Sequence, residues 1–373
     1  MLHSPLRVGL IGCGNIVTTY LRNMPRFRSY DVVVVSDTIQ SRAEEAARLH
    51  GHARAVTPDE LFADDSIEAV LSLTPPGAHA EIALRSLDAG KHIYTEKPLA
   101  VDVADARRIL DVAATKNLRV ACAPDTFLGP GPQTCRRLID EGRIGTPTAA
   151  LAVMMYRGPD QWHPDPEFFF KPGGGPLFDM GPYYITALIN MLGPVSSVTA
   201  SANTALPIRS VNAGPRTGTT YTVDTPTHIA SQLMFHGGAL VNLVTSFDVW
   251  AHTMPCIEVH GTDGSLHVPD PNGFGGPVRL YTPQSKAWID IPLSEHYADN
   301  ARGLGLSDMA SGIRLDQPHR ANGAMAFHVL DVMQAILVAA DTGRSQTITS
   351  TCQRPEPVPE GWAEDAWLSS PGP

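Results

Sequence analysis

Over the first 123 residues, short apolar runs alternate with stretches of helical pattern. Leu6–Ile11, Asp31–Asp37, Ile67–Leu73, His92–Thr95 and Leu118–Ala123 read as strands. Local signals mark the helices between them. Pro25 stops the first near Asn23, and Ser41–His50 is the second. Thr57-Pro58 starts a short third one with an N-cap and a proline at N1. Ala80–Ala89 is closed by Gly90, and Asp102 is an N-cap for a helix that runs to Lys116. Strands that alternate with helices in this way build a parallel, doubly wound α/β sheet. Ligands of such sheets bind at the carboxyl ends of the strands.

Those ends carry the informative residues. Leu6–Ile11 leads into Gly12-Cys13-Gly14-Asn15-Ile16-Val17 and then a helix, the strand–turn–helix setting of a dinucleotide fingerprint. Gly12 permits the tight turn, and Gly14 lets the backbone approach a pyrophosphate at the helix N-terminus. Val17 stands where glycine or alanine is usual, and its branched side chain is expected to push the helix slightly off the strand. The second strand ends in Asp37, where such folds place the carboxylate that receives the adenosine ribose 2′-OH. A carboxylate there repels a 2′-phosphate and favours NAD over NADP. The competing reading is that Asp37 only caps the helix Ser41–His50. The loop Thr74–His79 follows the next strand. His79 either meets ribose or nicotinamide there, or is a polar residue in the first turn of its helix.

The stretch Lys91–Ala100 holds Glu96-Lys97-Pro98 directly after an apolar strand. Lys97 is thereby presented at a strand's C-terminal end, and Pro98 restricts it to extended geometry. The expected cofactor set is Gly12, Gly14, Asn15, Ile16, Asp37, Thr74, Pro75, His79, Glu96 and Lys97.

Beyond Ala123 the pattern changes. Pro124–Pro132 reads as a hinge, and a helix is expected over about Gln133–Glu141. After a strand at Thr148–Tyr156, Gly158–Phe170 is a proline-rich aromatic loop that carries Trp162 and His163. Asp179 and Tyr183, four apart in Gly173–Tyr184, share one face of a helix. Because Pro182 suits a first turn, a start near Met180 is the alternative, with Asp179 as an N-cap satisfied by backbone N–H groups. From Val195 to Ile291 the chain reads as strands: Val195–Asn203, Thr219–Phe235, Ala239–Trp250, Cys256–His260, Ser265–Val268, Val278–Tyr281 and Trp288–Ile291. His236-Gly-Gly238 and Thr262-Asp-Gly264 are hairpin signals. Asp299–Ala310 and Gly323–Ala340 look helical. The expected domains are residues 1–123, an α/β dinucleotide-binding domain; residues 124–352, with a large open, mostly antiparallel sheet; and residues 353–373, a proline-rich tail of disordered composition.

Composition narrows the class. A formal net charge of −10 argues against nucleic acid or an anionic membrane as a partner. No apolar run is expected to reach the length of a membrane span, and a first strand at Leu6 leaves no room for a signal peptide. Five scattered cysteines without a C-x-x-C pair indicate no metal site and no disulfide framework, so a cytoplasmic setting is expected.

Taken together, the Gly12 turn, Gly90–Ala100, Gly173-Gly-Gly-Pro-Leu-Phe-Asp-Met-Gly181 and the α/β-then-β layout resemble the Gfo/Idh/MocA family of NAD(P)-dependent sugar and cyclitol oxidoreductases. The resemblance covers Leu6 to about Thr351. It implies a Rossmann domain followed by an open antiparallel sheet whose free face joins a homodimer or homotetramer. The family's lysine, which touches nicotinamide and substrate hydroxyl, matches Lys97, and its acid matches Asp179. Members commonly carry histidine four residues after that acid; Tyr183 stands there, as in the glucose–fructose oxidoreductase branch. The implied reaction is hydride transfer between NAD and a secondary hydroxyl of a sugar, cyclitol or glycoside. Lys97, Asp179, Tyr183 and His163 are its catalytic candidates, and Trp162 joins them in substrate binding. Either Tyr183 or His163 takes the proton. Two other functions stay open: a glycoside-cleaving or eliminating enzyme with transient oxidation, and a non-catalytic NAD-binding sensor.

Overall fold

The computed structural model describes residues 4–294 and 296–359 of the 373. The chain forms two compact units. The first comprises the described parts of Met1–Gly129, Ser294–Phe327 and Pro355–Pro373; the second comprises Pro130–Leu293 and His328–Arg354. The linear division differs from this in two places. The boundary falls at Gly129, because Pro130, Gly131 and Pro132 already belong to a helix. Residues 294–327, which the linear reading gave to the second domain, return to the first.

The first unit holds six parallel strands: β1 (Leu6–Ile11), β2 (Tyr30–Ser36), β3 (Arg54–Val56), β4 (Ala69–Ser72), β5 (His92–Thr95) and β6 (Val120–Cys122). Their order is β3-β2-β1-β4-β5-β6. The order reverses between β1 and β4, the switch point at which ligands bind. Strand β3 was not legible, since it is three residues long and less buried than its neighbours. The helices are α1 (Val17–Asn23), α2 (Gln40–His50), α3 (Pro58–Ala63), α4 (His79–Asp88) and α5 (Val103–Lys116). The expected caps are present. Thr57 and Glu60 form a capping box, and the Asp102 carboxylate accepts Ala104 N–H at 2.7 Å. Lys91 is 2% exposed, and its ammonium donates to the carbonyls of Asp64 and Ile67. Arg314, on α8 (Leu304–Arg314), donates to both Glu68 carboxylate oxygens at 2.7 Å. Asp125, fully buried, accepts the N–H groups of Gly303 and Gly305. These contacts draw 294–327 back to the first unit, and none has a local sequence signature.

The second unit begins with α6 (Pro130–Asp140) and β7 (Pro147–Met155), then α7 (Gly175–Leu192) and β8 (Val195–Asn203). A small pair follows, β9 (Ile208–Ser210) with β10 (Thr220–Thr222). Then come β11 (His228–Phe235), β12 (Leu240–Ser246), β13 (Ile257–Gly261), β14 (Ser265–Val268), β15 (Val278–Tyr281) and β16 (Trp288–Ile291). The expected strand Thr219–Phe235 is thus two strands, interrupted around Pro226, which has no N–H for a ladder. With β17 (Gln346–Thr347), the large sheet runs β16-β15-β14-β13-β7-β12-β11-β8-β17, and only β7 and β12 pair in parallel. Both predicted hairpins form, β11–β12 and β13–β14. Buried helix α7 packs on one face of the sheet. On the other face Ala230, Gln232, Met234, Leu240 and Asn242 are exposed.

Helix α9 (Gly323–Thr342) corrects the reading of apolar runs. Its 20 residues include an 18-residue window of mean hydropathy 1.6, which satisfies the length and composition of a membrane span. Yet Leu330, Val332, Met333 and Ile336 are fully buried, and His328 is tied to the core. The tail reading also changes in part. Pro355 is buried, and Arg320 donates to the carbonyls of Glu356 and Pro357. Arg354 donates to Asn190 and Asp140. Residues 360–373 lie outside the described residues.

The core makes one stability prediction. His328 is fully buried; its Nε2 accepts Val195 N–H at 3.0 Å, so Nδ1 carries the proton toward Ser350 Oγ. Burial pushes its pKa down to about 4. Between pH 6.5 and 4 the unfolded chain therefore binds more protons at this site, and stability falls as pH falls through that window. The full effect is about 3 kcal/mol. His328→Gln should remove about 2 kcal/mol of the stability difference between pH 6.5 and pH 4.5, read by urea unfolding at the two pH values.

Candidate active site

In the first unit the site is assembled at the ends of β1, β2, β4 and β5. Gly12 has φ +96°, and a Cβ there would lie 2.7 Å from the Leu73 carbonyl carbon and 2.8 Å from Thr74 N. Gly14, in contrast, faces open space. No acceptor among the described residues takes the N–H groups of Gly14, Asn15 and Ile16. A cavity of about 500 Å³ adjoins them, lined by Cys13, Gly14, Asn15, Thr18, Ser41 and Arg42. Unclaimed N–H groups around a glycine without a side chain suit a pyrophosphate. The residues therefore fit a dinucleotide. Val17 begins α1, is 5% exposed, and lines the same cavity with Ala46 and Leu49 of α2.

Asp37 is half-buried. Its Oδ2 accepts Cys13 N–H at 2.7 Å, and its Oδ1 accepts Ile39 N–H at 2.8 Å. Helix α2 has Ile39 as N-cap with no side-chain cap, so Asp37 does not cap it. The carboxylate instead braces the glycine turn. Burial, reinforced by Asp37, pushes the Cys13 thiol up to about 12, so it stays protonated.

Glu96 and Lys97 follow β5. Glu96 Oε1 accepts the Tyr20 hydroxyl at 2.8 Å, and its Oε2 accepts Lys97 N–H at 3.1 Å. Burial and the Glu96 charge hold the Tyr20 phenol well above its usual range, which keeps it a donor. Glu96 is thus a brace between α1 and the lysine turn; Tyr20, its partner, was missed in the sequence. The Lys97–Pro98 bond is cis. Thr74 is half-buried and Pro75 exposed, at the end of β4. His79 is fully buried, with Nδ1 2.6 Å from Pro98 O and Nε2 2.7 Å from Thr74 O. Its ring therefore cannot reach ribose or nicotinamide; this corrects its place in the cofactor set.

In the second unit α7 starts at Gly175, which places Asp179 and Tyr183 inside the helix, one turn apart on one face. The N-cap reading of Asp179 is thereby overturned. Pro182 lies mid-helix and forgoes one i→i−4 bond. Asp179 is half-buried and Tyr183 is 8% exposed. Burial, then Asp179 and Asp160, raises the pKa of Tyr156, a residue the sequence did not single out.

The aromatic loop is two short 3₁₀ turns, Pro159–Gln161 and Glu167–Phe170. It is pinned from within. Asp160, 2% exposed, accepts from Arg209 at 2.9 Å, and Arg209 also pairs with Asp248 and lies 4.7 Å over the Phe170 ring. Trp162 is 58% exposed, which excludes core packing as its role. The His163 ring packs against Trp162, Phe168 and Phe169. Its Nδ1 accepts Asp165 N–H at 3.0 Å. The neutral ring then carries its proton on Nε2 and offers outward a donor, not a lone pair.

Two family models match, the "Oxidoreductase family, NAD-binding Rossmann fold" over residues 6–123 and the "GFO/IDH/MocA C-terminal domain" over residues 133–267. The chain belongs to the Gfo/Idh/MocA family. Its first unit is an NAD-binding Rossmann domain. A family relative, the 1,5-anhydro-D-fructose reductase of Ensifer adhaerens, is 30% identical over 270 residues, 70% of this chain and 74% of the relative. The levoglucosan dehydrogenase of Pseudarthrobacter phenanthrenivorans is 28% identical over 253 residues, 62% of this chain; the match spans 63% of that relative, just under two thirds of its length. A solved levoglucosan dehydrogenase in complex with NADH and L-sorbose superposes with a TM-score of 0.79 at 22% identity, over 93% of this chain and all of that one, and so shares the fold.

Within this family member, Asp37 sets a cofactor prediction. NAD⁺ should bind more tightly than NADP⁺ by calorimetry. Asp37→Asn retains an oxygen for Cys13 N–H but removes the charge, so it should narrow that gap several-fold. Equal or tighter NADP⁺ binding by the parent chain would mean that Arg42, not Asp37, governs the ribose.

Proposed function

We propose that this chain catalyses reversible hydride transfer between NAD and a secondary hydroxyl of a sugar, cyclitol or glycoside. The observation that carries this reading is Lys97, held at the β5 end of an NAD-binding domain with its N–H on the Glu96 carboxylate. The names of the relatives, an anhydrosugar dehydrogenase and an anhydrosugar reductase, support a sugar-like substrate.

Nicotinamide, when bound, supplies the hydride acceptor. The residues of this chain handle the proton and the charge. Lys97 offers a cation to the substrate oxygen, which turns negative as its O–H proton leaves and becomes the carbonyl oxygen as hydride leaves the carbon. Tyr183 is the proposed proton acceptor. A phenol has a reference pKa of about 10 and needs a neighbouring cation to work near neutrality. Asp179, one turn earlier on α7, orients a substrate hydroxyl. His163 presents Nε2–H as a donor to substrate, since its Nδ1 lone pair is occupied. Trp162 offers an exposed ring face for stacking. We also propose a homo-oligomer joined through the open sheet face around Met234 and Leu240, which light scattering at micromolar concentration should report as larger than a monomer.

Screening sugars, inositols and glycosides for NADH absorbance tests the reaction. Glycoside consumption without net NADH would instead support the eliminating enzyme, and NAD binding without turnover of any substrate the sensor. In an active enzyme, Lys97→Ala should abolish turnover and leave NAD⁺ binding nearly intact. Tyr183→Phe keeps the ring and should lower kcat by about 10²–10⁴ with little change in stability. His163→Asn should mainly raise KM. A normal Tyr183→Phe beside a dead His163→Asn, with NAD⁺ affinity unchanged in both, would move the proton to His163.

A further inference from the structure

His79 is fully buried and reaches no ligand, yet both its ring nitrogens meet backbone carbonyls from two different strand ends. One is Thr74 O, in the loop after β4. The other is Pro98 O, directly after Lys97. A carbonyl oxygen only accepts, so each contact is a hydrogen bond when the facing nitrogen carries a proton.

The two carbonyls belong to segments that are otherwise fixed. Thr74 is jammed against Gly12, whose absent Cβ would lie 2.8 Å from Thr74 N. Its hydroxyl also meets Ser72 Oγ at 3.0 Å. Lys97 is held on its N-terminal side by Glu96, and Glu96 is held by Tyr20 of α1. On its C-terminal side the hold runs from Pro98 through His79 to Thr74 and on to the glycine turn. The two routes bracket Lys97. One leads back to the helix of the dinucleotide motif, the other to its turn.

We propose that His79 is a positioning residue that ties the loop after β4 to Pro98 and thereby aims Lys97 relative to the glycine turn. Its catalytic consequence rests on the function proposed above; its mechanical part does not. Misplacing a reacting group by about 1 Å costs about 10² in rate.

The test uses the full chain with three variants. His79→Ala removes both ring nitrogens, of which a neutral ring protonates one at a time. In His79→Asn the amide nitrogen stands in for Nδ1 and keeps the bond to Pro98. In His79→Gln it stands in for Nε2 and keeps the bond to Thr74. Two readouts need no turnover. One is NAD⁺ affinity by calorimetry. The other is the ¹³C NMR titration of Lys97 after reductive dimethylation, assigned among the five lysines of the chain with Lys97→Arg. In His79→Ala, the Lys97 titration should shift and NAD⁺ should bind several-fold more weakly. In an active enzyme kcat should fall about 10²-fold. His79→Asn should restore the Lys97 titration, whereas His79→Gln should restore NAD⁺ affinity and leave Lys97 displaced. A folded His79→Ala with a parental Lys97 titration and parental NAD⁺ affinity would overturn the proposal. Should His79→Ala not fold, the Asn and Gln variants decide: identical Lys97 titrations and NAD⁺ affinities in the two overturn it. Absence of turnover in the parent chain would defeat the proposed reaction while leaving both binding readouts to judge His79.

Discussion

The first unit depends on the absence of an atom at Gly12. Its backbone is in the left-handed region, and the backbone of Leu73 and Thr74 occupies the space a side chain would need. Conformation and space therefore exclude other residues independently. Strands β1 and β4 are neighbours at the point where the sheet order reverses, so the crowding at Gly12 seats the β4 loop directly on the glycine turn. From there the order propagates by polar contacts: Thr74 O to the His79 ring, the ring to Pro98 O, and Lys97 N–H to Glu96, which accepts from Tyr20. The lysine turn is not an isolated loop; it is the far end of a chain of contacts that starts at the pyrophosphate turn.

The second unit solves a different problem, which is how to hold an aromatic loop that shows its rings to solvent. Trp162 and Phe168 are more than half exposed, so their burial cannot anchor the loop. A buried ion pair does so. Arg209 and Asp160 are both almost inaccessible, and Arg209 donates further to the carbonyls of Arg157 and Phe247. Desolvating two charges is costly, and such a pair is weak evidence for stability, but loss of one partner leaves the other stranded at about 3–5 kcal/mol. The geometry fits a role in fixing one loop conformation. Outward of Asp160, Arg216 holds the loop again through Asp165 and Glu167, just ahead of the phenylalanines.

What was legible in the sequence follows from how local the cause is. Caps, hairpins and strand ends depend on a few adjacent residues, so Thr57, Asp102, the β11–β12 turn and the placement of Asp37 and Lys97 at strand ends were read correctly. The long-range causes were not legible. Nothing near His79 in sequence says that its ring will bridge Thr74 and Pro98, and nothing in residues 294–327 announces the Arg314–Glu68 or Asp125–Gly303 contacts. Pro182 misled because proline disfavours a helix interior; here the apolar segment 175–192 is so deeply buried that packing outweighs one missing backbone bond. Helix α9 was read as a helix, and it reaches the length and composition of a membrane span because a largely buried core helix shares that composition.

Two departures from the family pattern, Val17 and Tyr183, bear differently on the chemistry. Val17 turns its extra bulk into the cavity wall beside Ala46 and Leu49. The glycine turn keeps Gly12, whose space is taken by backbone, and Gly14, whose open side suits a pyrophosphate, so the third position has latitude as long as its side chain finds an apolar neighbour. Tyr183 has no such latitude. A histidine at that place would take a proton near pH 7 unaided, whereas a phenol gives up its own proton only in a strongly positive field. On the proposed reaction, replacing imidazole by phenol therefore makes the proton acceptor dependent on a positive charge that its own side chain does not carry.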